Sequence, residues 1–73
     1  MYIERIKELR TDRDISQKEI ALYLKIPKNT YSQYENDKRH FPLEYIIEIA
    51  KYFNVSLDYL FNLTDTMKVY PRK

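Results

Sequence analysis

The chain has 73 residues and a formal net charge of +2, and it contains neither cysteine nor glycine. The absence of cysteine excludes disulfides, thiolate catalysis and cysteine-based zinc sites. This length predicts a single small domain, which we assign to residues 1–65, followed by a tail at residues 66–73. No apolar run approaches the roughly 20 residues that span a bilayer, and no secretion signal opens the sequence, so we expect a cytoplasmic protein without membrane contact.

Catalysis is not expected from this set of residues. With no glycine, no cysteine and a single histidine, the sequence offers no phosphate-binding loop, no metal cluster and no nucleophile with a base beside it. We interpret His40 as a loop residue. The sequence therefore predicts no catalytic residue, no metal ligand and no cofactor.

Apolar spacing predicts an all-α protein of five helices. The helices are expected at residues 2–12, 17–24, 28–35, 43–53 and 57–62. The core is expected to consist of Ile6, Leu9, Ile15, Ile20, Ala21, Leu24, Ile26, Tyr31, Tyr34, Leu43, Ile46, Ile47, Ala50, Phe53, Val55, Leu57 and Leu60.

The second and third predicted helices form a helix-turn-helix pattern. Ser16 stands three residues before Glu19, a capping box that marks the start of the second helix. Pro27 suits the start of the third helix, because proline cannot occupy a helix interior. Only Lys25 and Ile26 are left to turn the chain between them.

The outer face of the third helix carries polar side chains of the kinds that read base edges. Asn29 and Gln33 offer the paired donor and acceptor that match adenine, whereas Lys28 can reach the two acceptors of guanine. Thr30 lies close enough to meet a thymine methyl group. These four residues are the candidate base readers for double-stranded DNA.

Charge is distributed unevenly along the chain. Residues 17–39 sum to +2, residues 40–65 to −3 and residues 66–73 to +3. The helix-turn-helix is therefore basic, while the fourth and fifth helices are acidic. Such a dipolar molecule is expected to orient itself as it approaches a duplex.

The spacing and residue types resemble the Cro and phage-repressor helix-turn-helix family from about Ile3 to Leu63. The resemblance is carried by five segments in order, among them 15–19, which reads Ile-Ser-Gln-Lys-Glu, and 55–60, which reads Val-Ser-Leu-Asp-Tyr-Leu. It implies a compact five-helix, lambda-repressor-like domain. It also implies a sequence-specific transcriptional regulator, most simply a dimeric repressor that reads a palindromic operator through the major groove.

The resemblance also implies roles for residues outside the base-reading set. It pairs Arg10 with Glu35 as a structural ion pair between the first and third helices; the alternative is two separate surface charges. It assigns Gln17 to the DNA backbone, where the alternative is a solvated first-turn residue. The other candidate backbone contacts are Ser32, Asn36, Lys38 and Arg39, and Asn36 is alternatively a helix cap.

The chain departs from the family at positions where glycine is usual. Asp14, Lys25, Asp37 and Asn54 occupy these positions. Asp and Asn tolerate a left-handed backbone because their short side chains bond locally, whereas Lys25 would carry strain on the order of 1 to 2 kcal/mol. Pro27 likewise replaces the usual Ser or Thr cap of the third helix, so the first amides of that helix are left for water or a phosphate.

The apolar residues after position 58 exceed what the last helix of a monomer needs to bury. They are Tyr59, Phe61, Leu63, Met67 and Val69. We expect a homodimer through the C-terminal helix and tail; the alternative is that the tail folds back and covers them. The tail itself is interpreted as a frayed end, with a short strand or an arm on a partner as alternatives.

A second function remains open from the sequence. A helix-turn-helix chain of this size also suits an antitoxin-type protein, whose main partner is another protein and which binds its own operator. The two functions differ in whether the protein alone binds a short palindrome or needs a partner chain.

Overall fold

The computed structural model describes residues 3–67 and contains five α-helices and no strand in that range. The helices are α1 (Glu4–Asp12), α2 (Gln17–Leu24), α3 (Lys28–Glu35), α4 (Leu43–Phe53) and α5 (Leu57–Leu60). This confirms the all-α fold class. Across this part of the chain, no helix has the length and apolar character needed to cross a membrane.

The bounds of α2, α3 and α4 match the predicted ranges. The first helix begins at Glu4; the predicted start at residue 2 lies outside the described residues. The fifth helix ends at Leu60 instead of residue 62, because Asn62 adopts a left-handed backbone with φ of 62°. A helix cannot continue through that conformation.

Serine and proline mark the helix starts. The Ser16 side chain accepts a hydrogen bond from the backbone amide of Glu19, and the Glu19 carboxylate accepts one from the backbone amide of Ser16, which completes the capping box. Ser56 caps α5 in the same way through the amide of Tyr59. Pro27 and Pro42 precede α3 and α4 with extended backbones and provide no side-chain cap. Neither helix therefore has a capping side chain bonded to the amides of its first turn.

Five non-glycine residues in the described part have positive φ. Four are the positions where the family uses glycine, and the fifth is in the turn after α5; they are Asp14, Lys25, Asp37, Asn54 and Asn62, with φ between 54° and 62°. Aspartate and asparagine are the residues that enter this region at least cost. Lys25 is the exception and adopts φ of 61° and ψ of 40°. The turn of the helix-turn-helix is therefore strained.

The core lies where all five helices meet. Its fully buried side chains include Ile6 of α1, Ile20 of α2 and Tyr31 of α3, together with Ile46 and Ile49 of α4. Ile15, Ile26, Tyr34 and Leu57, which were predicted to be in the core, are half-buried and pack against it. The amphipathic spacing of α4 gives this helix the largest share of the core.

Two predictions for the core were wrong in detail. Leu43 is 56% exposed, whereas Phe41, just before α4 and not predicted to be in the core, is 1% exposed. The Phe41 ring lies 5.3 Å from that of Tyr34, stacked, and 6.2 Å from that of Tyr31, edge on. On α4, Ile49 is fully buried although it was not predicted to be in the core, and Ile47, which was, is only half-buried.

The chain after α5 turns back along that helix, and we call residues 61–67 the return segment. The backbone amide of Leu63 donates to the carbonyl oxygen of Asp58 at 2.8 Å, and the backbone amide of Ser56 donates to the carbonyl oxygen of Met67 at 3.1 Å. The chain therefore folds back after α5 as far as Met67, but it does not cover the apolar side chains as the alternative expected, since Leu63 is 74% exposed and Met67 is 43% exposed. The predicted roles of Val69 and of residues 68–73 lie outside the described residues.

Candidate functional site

The α2–turn–α3 unit is built around a short, fixed turn. The amide of Lys25 donates to the Leu22 oxygen at 3.2 Å, and the amide of Ile26 donates to the Ala21 oxygen at 3.0 Å. These bonds satisfy carbonyls at the end of α2 while the chain reverses. The inner sides of both helices are buried, so the outer side of α3 is held at a set angle to the rest of the domain.

A buried carboxylate connects α3 to α1 and α2. Glu35, at the end of α3, is 2% exposed. Arg10 forms a two-point ion pair with it, Nε to Oε2 at 3.1 Å and Nη2 to Oε1 at 2.8 Å. The Tyr31 hydroxyl donates to Oε2 at 2.6 Å, and Gln17 Nε2 donates to Oε1 at 3.2 Å. Side chains from three helices therefore meet at one carboxylate.

The titration of Glu35 follows from these donors. Burial by itself would raise the pKa of Glu35, but hydrogen bonds from Arg10, Tyr31 and Gln17 outweigh it, and the net pKa is lowered. Since the folded pKa lies below the unfolded one, the charged carboxylate stabilises the fold above the unfolded pKa. That stabilisation is lost as pH falls through the folded value.

The partners of Glu35 are shifted in the opposite direction. The hydrogen bond to Glu35 raises the pKa of Arg10, and burial together with the bond to Glu35 raises the pKa of Tyr31. Both side chains therefore keep their protons at neutral pH and remain donors. Among the residues that the structure describes, no buried side-chain nitrogen or oxygen lacks a hydrogen-bond partner.

The candidate base readers lie on α3 away from this network. Lys28, Asn29 and Gln33 are exposed, and Thr30 is half-exposed. Asn29 and Gln33 are four residues apart, so they are neighbours one turn apart on the same face. That face is opposite to the one through which Tyr31 is buried.

The candidate backbone-contacting residues fall into two groups. Ser32 and Asn36 are joined by a bond from Asn36 Nδ2 to the Ser32 hydroxyl at 3.2 Å, and Asn36 is also the C-cap of α3. Lys38 and Arg39 are exposed, and their backbone amides donate to the backbone carbonyl oxygen of Gln33 at 2.8 Å and 3.2 Å. These bonds fix the start of the loop against the end of α3.

Gln17 is set apart from the other candidates. It is half-buried at the first position of α2, and its amide nitrogen bonds to Glu35. From the sequence only DNA or solvent was expected around Gln17, so this internal contact was not predicted. A primary amide has two N–H groups, so one remains after the bond to Glu35.

The bond between the Tyr31 hydroxyl and Glu35 was likewise not predicted from the sequence. Tyr31 was assigned to the core on its apolar ring alone. The two residues are four apart on one helix, a spacing that brings side chains together and could have indicated the contact. No comparable signal exists for Gln17, which reaches Glu35 only after the turn has folded.

Comparisons with known proteins agree with this geometry. A family model described as helix-turn-helix matches residues 6–60. The chain is 32% identical over 65 residues to an uncharacterised HTH-type transcriptional regulator, YobD, of Bacillus subtilis, covering 89% of this chain and 58% of the relative.

Two further relatives match the chain with similar identity and coverage. The cryptic phage CTXphi transcriptional repressor RstR of Vibrio cholerae is 33% identical over 66 residues, 90% of this chain and 60% of the relative. The HTH-type transcriptional regulator ImmR of Bacillus subtilis is 35% identical over 65 residues, which cover 89% of this chain and 51% of the relative. The chain thus spans between 51% and 60% of the length of these relatives. With five helices in order and a family match over most of its length, the chain belongs to the helix-turn-helix family of the Cro and phage-repressor type.

Proposed function

We propose that this chain is a sequence-specific DNA-binding transcriptional regulator in which α3 reads bases in the major groove. The observation that carries the proposal is the two-sided character of α3. Its inner side is tied to α1 and α2 through Glu35, and its outer side presents Asn29 and Gln33 to solvent. A reader helix needs both a fixed orientation and polar side chains that reach base edges. Family membership and the names of the relatives support the same function.

Phosphate contacts flank the reader helix in this proposal. Lys38 and Arg39 lie just beyond the end of α3 and supply cations for one strand. Gln17 begins α2, where its second amide N–H and the first backbone amides suit a phosphate. Ser32 accepts a bond from Asn36, so its own hydroxyl hydrogen can be donated to DNA.

The finer part of the proposal is a two-fold dimer on a palindromic operator, acting as a repressor by occlusion. Exposed apolar side chains after α5 motivate the dimer; Leu63 is 74% exposed and Met67 is 43% exposed. In such a dimer the two reader helices are expected about 34 Å apart, one turn of B-DNA. The half-sites of the operator would then repeat at that spacing.

The proposed assignment is tested by separating specific from general contacts. The cognate site is first selected from a random duplex pool. Asn29→Ala and Gln33→Ala are each expected to cost about 1 to 3 kcal/mol on that site, with little change on scrambled DNA. Arg39→Ala is the matched control, because loss of a phosphate contact weakens binding to all duplexes alike.

Two outcomes would contradict the proposal at different levels. If Asn29→Ala and Gln33→Ala weaken cognate and scrambled DNA equally, α3 is not the reader. If no sequence is enriched from the pool by the wild-type protein, the chain is not a sequence-specific DNA-binding protein by itself.

A further inference from the structure

Lys25 differs from the other left-handed positions of residues 3–67. Those four positions hold aspartate or asparagine, whereas Lys25 adopts φ of 61° and ψ of 40°. Aspartate and asparagine enter this region at lower cost, because their short side chains bond to the local backbone. Lys25 is therefore an exception to the way in which this chain makes its turns. Such an exception is expected where a function requires the costlier residue.

The contacts of Lys25 within the domain do not account for a lysine. Its side chain is exposed, and its ammonium forms no ion pair or hydrogen bond with any of residues 3–67. As the C-cap of α2, the cation interacts favourably with the carbonyl end of that helix, but this interaction is weak at an exposed position. The charge is thus held at the surface, where a ligand can meet it.

Lys25 lies close to the start of the reader helix. Three Cα steps of about 3.8 Å separate it from Lys28, the first residue of α3, so the two Cα atoms are at most about 11 Å apart. The four-carbon stem of the lysine extends its reach further. The major groove that admits a reader helix is about 12 Å wide, so the phosphates that border the groove lie near the start of α3.

Exposed cations stand at both ends of α3. Lys25 and Lys28 are at its start, and Lys38 and Arg39 follow its end. A helix of eight residues is about 12 Å long, which is close to the width of the major groove. Cations at its two ends can therefore face the two phosphate strands that border the groove. Lys38 and Arg39 are proposed above to contact one strand, whereas no cation has been assigned to the other.

We propose that Lys25 is a further DNA-binding residue, whose ammonium contacts a phosphate on the strand opposite to that bound by Lys38 and Arg39. This inference rests on the proposed DNA-binding function. The contact is to the DNA backbone, so it adds affinity and fixes the position of α3 in the groove without carrying sequence information. The turn is strained because it holds a cation beside the groove.

The test exchanges two residues that occupy equivalent backbone positions. Lys25 and Asn54 are both left-handed C-caps, with φ of 61° and 56°. Lys25→Asn removes the cation from the turn, and Asn54→Lys places one at the end of α4. The double variant has the same composition and net charge as wild type. Affinity for the selected site and for scrambled DNA is measured at several salt concentrations, and stability is measured by thermal unfolding.

Lys25→Asn is expected to weaken binding to both duplexes about fivefold and to reduce the slope of log affinity against log salt by about 1, because one phosphate contact and its released counterion are lost. Its unfolding temperature should not fall, since asparagine suits the left-handed backbone. Lys25→Arg retains the charge and should keep the wild-type slope.

The reciprocal change is the matched control. Asn54→Lys should lower the unfolding temperature, because it places a lysine in a left-handed position, and should leave binding to DNA unchanged. The double variant should bind as weakly as Lys25→Asn, although its net charge is that of wild type. The position of the cation, and not the total charge, is then what determines affinity.

Several results would overturn the inference. Wild-type affinity and slope in Lys25→Asn would do so, and a lower unfolding temperature beside them would show that the lysine serves the turn itself. Recovery of wild-type binding in the double variant would mean that net charge alone matters. Each of these results leaves the proposed function intact, provided that the wild-type protein selects a site from the random pool. If it selects none, the proposed function fails, whereas a reduced slope of Lys25→Asn on scrambled DNA still supports the phosphate contact.

Discussion

At the scale of single residues, the most consequential feature is the buried carboxylate of Glu35. A buried carboxylate is costly unless its oxygens are bonded, and Glu35 has donors on both oxygens. The donors come from different helices, so the carboxylate can be satisfied only when those helices have the right relative positions. The network therefore fixes the orientation of α3 relative to α1 and α2.

Removal of either charged partner of this pair is expected to be costly. Arg10→Met and Glu35→Gln should each lower the free energy of unfolding by about 3 kcal/mol, because each leaves the other partner partly buried without its counter-charge. The double variant should lose less than the sum of the two. Urea unfolding of the four proteins measures this coupling.

The control for this cycle is the surface pair of Glu48 and Lys51. These side chains are 3.1 Å apart but largely exposed, so Glu48→Gln and Lys51→Met should each change the unfolding free energy by less than about 0.5 kcal/mol. If the Arg10 and Glu35 changes prove strictly additive, the network does not couple α1 to α3.

At the scale of elements, the helix ends show how a chain without glycine makes its turns. Asp14, Asp37, Asn54 and Asn62 all take the left-handed backbone at turns or helix ends. Their side chains form local hydrogen bonds readily, which lowers the cost of that conformation. The long side chain of Lys25 does not form such local hydrogen bonds readily. Lys25 nevertheless occupies the left-handed position in the turn between α2 and α3.

Glycine at this turn is expected to stabilise the protein. Lys25→Gly should raise the free energy of unfolding by about 1 kcal/mol, since relief of left-handed strain exceeds the added entropy of glycine in the unfolded chain. Asn54→Gly is the matched control at another left-handed helix end and should give a smaller gain. Thermal unfolding of both variants tests this; a loss of stability in Lys25→Gly would show that the lysine side chain contributes contacts that exceed the strain.

At the scale of the whole molecule, charge is separated between two portions of the chain. The basic loop after α3 continues the candidate DNA surface, while α4 and α5 lie in the segment that sums to −3. A polyanion is attracted to a positive portion and repelled by a negative one, so the net charge of +2 does not by itself describe how this molecule would meet one.

This separation predicts which cations determine the salt dependence of binding. Lys38→Ala should reduce the slope of log affinity against log salt by roughly 1, because one phosphate contact and its released counterion are lost. Lys51→Ala removes the same charge from α4 and should leave the slope unchanged. The measurement is a titration of cognate DNA at several salt concentrations; equal slopes for the two variants would mean that Lys38 does not touch the backbone.

Local pattern was sufficient to predict the helices and the turn. Capping at Ser16, the two prolines and apolar spacing act within a few residues, so the bounds of three helices were predicted to the residue. The placement of the candidate readers on the outer face of α3 follows from the same periodicity. The pairing of Arg10 with Glu35 was predicted only through the family resemblance, because 25 residues separate them.

What the tertiary structure alone decided are the contacts between residues distant in sequence and the choice among equally apolar side chains. Phe41 is buried against Tyr34 while Leu43 is exposed, because the packing of the helices decides which of these apolar side chains faces inward. Gln17 bonds to Glu35, and Arg5 holds the return segment, because folding brings together groups that are 18 to 60 residues apart. A local sequence pattern describes neighbours within a few residues, so it does not determine how the helices pack against one another or which distant residues come into contact.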